Sequence, residues 1–137
     1  MTVGRSRAIL GVFWIAGTAP IMLILSIQTI IGVYGEEWQL PWSWVSPLVF
    51  PNLSLIIAVW TIEEPNTPER VIRSRTLLIT TMMLSVFYLI NIYAVLLVGR
   101  YSDISIRDIM SASSWYLLPF QALVTGALGK FFIETKE

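Results

Sequence analysis

Apolar residues run through this chain in four long stretches, separated by short clusters of charge and turn formers. Ala8 to Gly35, Trp38 to Ile62, Thr76 to Gly99 and Ile109 to Gly129 contain no Asp, Glu, Lys or Arg. Crossing a hydrocarbon core of roughly 30 Å takes about 20 mainly apolar residues in a helix, and each stretch meets that length. The pattern predicts an all-α membrane protein, with four transmembrane helices in an antiparallel bundle. Its single domain covers residues 1–137, with spans at about 8–34, 45–62, 76–99 and 113–133. Ala16-Gly17-Thr18-Ala19 is faintly like a signal-peptidase site, but the apolar run around it exceeds a signal core. It reads as a retained first helix.

The turn chemistry refines these limits. Thr67 as N-cap, Pro68 at the first helical position and Glu69 in the first turn predict a third helix that begins before its apolar stretch. Ser105-Ile106-Arg107-Asp108 resembles a capping box with Asp in place of Glu. It predicts either a short interfacial helix in the second outer loop or an early start to the fourth helix. Pro20, Pro51 and Pro119 fall inside the first, second and fourth spans, and Pro47 at the start of the second. Each removes a backbone donor, and in lipid the freed carbonyl needs another partner.

Charge sets the orientation. Arg5 and Arg7 precede the first span, Arg70, Arg73 and Arg75 lie between the second and third, and Lys130 and Lys136 follow the fourth. Only Arg100 and Arg107 fall on the other side. Basic residues favour the cytoplasmic side of short loops, so both termini are expected there, in a bacterial inner membrane. Tyr34, Trp38, Trp42, Trp44, Tyr101, Trp115 and Tyr116 gather near the outer ends of the spans, where amphipathic rings suit the headgroup layer.

Composition then narrows the chemistry. Charged residues make up 13% and net charge is zero, so the dense basic face of a nucleic-acid binder is missing. The chain has no Cys and no His, which removes thiol redox chemistry and the commonest metal and haem ligands. No cofactor is expected. Ion-coupled carriers place an ionisable group within a span, and these four stretches hold none.

Each span instead carries one side-chain amide: Gln28, Asn52, Asn91 and Gln121. A polar layer of this kind either bonds helices together or lines a constriction. Glu36 and Glu37 in the first outer loop are either solvated charges or an acidic mouth. Arg70, Arg73 and Arg75 form a cytoplasmic patch for anionic lipid or a cytosolic protein, each worth roughly 1 kcal/mol near anionic headgroups. Ala122 and Gly126, and Thr125 and Gly129, are spaced four apart, the small-residue pattern of close helix packing. The expected function is therefore non-enzymatic: a small homo-oligomeric tetraspan acting as scaffold or sensor, of the kind used in envelope-stress or phage-defence systems. The alternative is an oligomeric pore for an ion or small solute, lined by the amides.

Overall fold

The computed structural model of the chain describes residues 3–62 and 75–133. Four helices account for nearly all of them: α1 Val3–Ile30, α2 Gln39–Ile62, α3 Arg75–Tyr101 and α4 Ile106–Ile133. No strand occurs among the described residues. The predicted helix start at Thr67, with Pro68, Glu69, Arg70 and Arg73, lies outside them, as does Lys136.

α1, α2 and α3 are long and apolar enough to cross a membrane. α4 has the length, at 28 residues, but is more polar, and it is not among the helices that qualify. The reason is visible in its sequence, where Arg107, Asp108, Ser111, Ser113, Ser114, Gln121 and Thr125 interrupt the apolar run.

The helices exceed the charge-free stretches because charge ends a membrane span without ending a helix. α1 begins at Val3 and carries Arg5 and Arg7 within it. It stops at Ile30, four residues before the expected limit, in a glycine C-cap. Gly32 takes a left-handed φ of 73°, its N–H donates to the Thr29 carbonyl, and the Val33 N–H donates to the Gln28 carbonyl. This is the Schellman pattern, which only a residue tolerant of positive φ completes without strain. A single 3-10 turn, Gly35–Glu37, then leads into α2, which starts at Gln39 rather than near residue 45. Pro41 is accommodated because the first turn of a helix has no internal acceptor for its N–H groups.

Residues 106–112 are the opening turns of α4, not a separate interfacial helix. Ser105 caps it: the Asp108 N–H donates to Ser105 Oγ (3.2 Å), and the Ser105 hydroxyl donates to Asp108 Oδ2 (2.7 Å).

Packing puts α1 and α4 on opposite corners, each against both α2 and α3. Leu10, Trp14, Thr18, Ile21, Leu25 and Gln28 form the buried stripe of α1, recurring at three- and four-residue steps. Val45, Leu48, Val49, Asn52 and Ile56 are buried on α2, and Ser85, Tyr88, Leu89 and Ile92 on α3. Leu117, Val124, Leu128, Phe131 and Phe132 complete the core from α4. The outer surface is also apolar, with Val12, Leu23, Ile57, Met83, Ile90, Leu97, Val98, Trp115 and Leu123 all exposed. So much apolar surface is unfavourable in water and suits a hydrocarbon surround.

Close approach is set by two glycines of α1. A Cβ at Gly11 would collide with the Trp60 ring of α2, and one at Gly17 would reach 2.6 Å from Leu89 Cδ1 of α3.

Candidate functional site

The polar groups fall into three places: a buried set in the middle, a closed end around Arg7 and an open end around Arg100. In the middle, the Gln121 amide donates to Thr125 Oγ1 (3.1 Å), and the Thr125 hydroxyl donates to Asn52 Oδ1 (2.6 Å). This chain ties α4 to α2. Asn52 is fully buried, and its Nδ2 finds no acceptor.

The other two amides lie elsewhere. Asn91 donates to the Phe87 carbonyl of its own helix (2.8 Å), and Gln28 accepts a hydrogen bond from the Tyr34 hydroxyl. Thr125 thus brings Asn52 and Gln121 into one chain, whereas Gln28 and Asn91 make contacts of their own.

Two tyrosines of α3, which sequence reasoning did not single out, occupy the proline-bearing turns. Tyr88 donates to the Leu48 carbonyl (2.9 Å), three residues before Pro51. Tyr93 donates to the Gly17 carbonyl (2.6 Å), three residues before Pro20. A proline ring pushes the preceding turn open and tilts its carbonyls outward. The carbonyls left without an N–H are those of Ala16 and Pro47, and the tyrosines of the proline-free α3 bond the carbonyls next to them in the same two turns. Trp14 Nε1 adds a buried bond to Ser85 Oγ (3.0 Å) between α1 and α3.

At the closed end Arg7 is 5% exposed and donates to the Phe132 carbonyl in the last turn of α4 (2.7 Å). A cation there complements the negative end of the helix dipole. Phe131 and Phe132 meet edge to face beside it. Arg75 is exposed at the start of α3.

The open end holds a cavity of about 400 Å³ between the end of α1, the end of α3 and the start of α4. Val95, Leu96, Ile106, Ile109 and Met110 supply apolar wall, and Gln28, Tyr34, Arg100, Ser102 and Ser105 supply polar groups. Gln28 is 6% exposed. Burial pushes the Tyr34 hydroxyl above its ordinary pKa, and the positive charge of Arg100 partly offsets this. Glu37 also lines the cavity but is held by Arg107 (3.0 Å), so its charge is matched from the first turn of α4. Glu36 is exposed. Trp42 Nε1 donates to Thr29 Oγ1 (2.9 Å) and fixes the start of α2 to α1.

The small residues of α4 divide. Thr125 joins the buried amide chain, whereas Ala122 and Gly126 are exposed. A Cβ added at Gly126 or Gly129 meets no atom within 4 Å. Among the described residues no three His, Cys, Asp or Glu side chains come together as a metal cage. No protein-family model matches the chain, and no curated protein or solved structure is detectably similar to it.

Proposed function

We propose that this chain crosses a bacterial inner membrane four times, with both termini cytoplasmic, and serves as a non-enzymatic scaffold or sensor subunit. One observation carries the reading: each of the four amides has a hydrogen-bond partner within the chain, Gln28 in Tyr34, Asn91 in the Phe87 carbonyl, and Asn52 and Gln121 in Thr125. Gln28 and Asn52 are buried inside a single chain, so a lumen between copies could not draw on them. This argues against the pore and leaves the amides a packing role, each contact worth about 0.6 kcal/mol and at most about 1.7.

Four crossings are supported by the contacts of α4. Its first turns border the cavity beside the end of α3, and its last turn meets Arg7 at the start of α1. A helix of 28 residues spans about 42 Å at 1.5 Å per residue, enough to cross alongside the other three. The Arg7 end is then cytoplasmic and the Arg100 end faces outward. Exposed Ala122 and Gly126 on α4 provide a small-residue face for self-association in lipid. Arg70, Arg73 and Arg75 provide the surface for a cytosolic protein partner or anionic lipid.

The test is charge reversal of Arg70, Arg73 and Arg75 in the full chain. The reading expects loss of the co-purified cytosolic partner, with thermal unfolding in detergent unchanged. Retention of that partner would overturn the coupling role, and solute flux from liposomes holding the purified protein would restore the pore.

A further inference from the structure

We infer that the cavity at the Arg100 end binds the phosphodiester headgroup of an anionic phospholipid from the outer leaflet. The inference rests on the membrane orientation proposed above and assigns a ligand to one site within it. At about 400 Å³ the cavity falls within the size range of small-molecule sites, roughly 300–1,000 Å³.

Its lining is graded as an amphiphile is graded. Val95, Leu96, Ile109 and Met110 are apolar, while Arg100, Ser102 and Ser105 come from the chain ends that form the rim. Gln28 brings a carboxamide, nine-tenths buried, to the same space. Its Oε1 takes the Tyr34 hydroxyl, which leaves the N–H groups of its amide to donate.

Charge selects an anion. Glu37 is matched by Arg107, whereas Arg100 makes no ion pair among the described residues. A guanidinium at this position is the group that binds phosphate through parallel N–H donors. Ser102, whose oxygen accepts the Ile104 N–H, then offers its hydroxyl hydrogen to a glycerol-type headgroup, and the apolar wall suits the first carbons of an acyl chain. A zwitterionic headgroup gains less, because its ammonium would meet a glutamate already neutralised.

The experiment is native mass spectrometry of the full chain, stripped of lipid and titrated with phosphatidylglycerol or phosphatidylethanolamine. The wild-type protein is expected to retain one phosphatidylglycerol in preference to phosphatidylethanolamine. Arg100→Gln should weaken that retention about tenfold, the scale of one charge-assisted hydrogen bond, while Lys130→Gln, in the last turn of α4 at the other end of the bundle, keeps it. Equal retention by wild type and Arg100→Gln overturns the inference. So does displacement of the lipid by millimolar inorganic phosphate, which would make the site one for a soluble anion. Carbonate extraction and outside labelling of a single cysteine at Ser102 report insertion separately. A chain that inserts with Ser102 outside yet shows no lipid preference defeats this site alone; a chain that fails to insert defeats the membrane reading.

Discussion

The two ends of the bundle use the same residue types in opposite ways. At the Arg7 end a guanidinium is buried on a helix carbonyl, a glycine receives an indole ring, and two phenylalanines fill the remaining space. At the Arg100 end a guanidinium borders an open cavity, two glycines take positive φ to turn the chain, and an exposed ion pair joins the 3-10 turn to the start of α4. The difference is one of how helices terminate. Three chain ends splayed by turns leave a cavity between them, while at the other end Gly11 lets the Trp60 ring lie close against α1. Arg7 is bonded to a helix carbonyl at the first end, and Arg100 borders the cavity at the second.

Substitutions should therefore lose less stability as they move from the closed end to the open one. Gly11→Val drives a side chain into Trp60 and is expected to cost about 3 kcal/mol, the upper range for overpacking a core. Equilibrium unfolding in mixed micelles measures it, with Gly126→Val, which meets open space, as the matched control expected to change little. Tyr88→Phe, in the middle, removes the donor from the Leu48 carbonyl and should cost about 1.5 kcal/mol in the same assay. Thr125→Val breaks the link between Gln121 and Asn52 and should cost about 1 kcal/mol, leaving a second unpaired group on Asn52. Arg107→Gln at the open end removes only an exposed pair, and a loss of at most about 0.5 kcal/mol is expected. An Arg107→Gln effect as large as that of Gly11→Val would erase the contrast between the ends.

The helices were legible because charge-free length and helical length largely coincide, and they parted where the two signals differ. Arg5 and Arg7 bound the apolar stretch but continue α1, and the Trp-rich segment after Gln39 read as loop although it is the first turn of α2. The Gly32 cap was readable in principle, as a glycine closing an apolar run. The amide contacts were not, because choosing Thr125 and Asn52 as partners requires the rotation of two helices about their axes. Tyr88 and Tyr93 left no usable signal of their own, because which carbonyls they reach depends on how α3 packs against α1 and α2. Gly11 and Gly17 were passed over because their neighbours in the fold, Trp60 and Leu89, are distant in sequence. The cavity has no sequence signature, being formed by three separate chain ends.

Everything argued about the two ends depends on α4 crossing with its neighbours, although it is the most polar of the four helices. The chain has no cysteine, so single cysteines can be placed freely. Labelling of Ser102→Cys and Lys136→Cys in intact cells with a membrane-impermeant maleimide decides the matter. Four crossings predict that the cysteine at position 102 is labelled from outside and the one at position 136 only after permeabilisation. Labelling of position 136 in intact cells would mean three crossings, and would contradict the account.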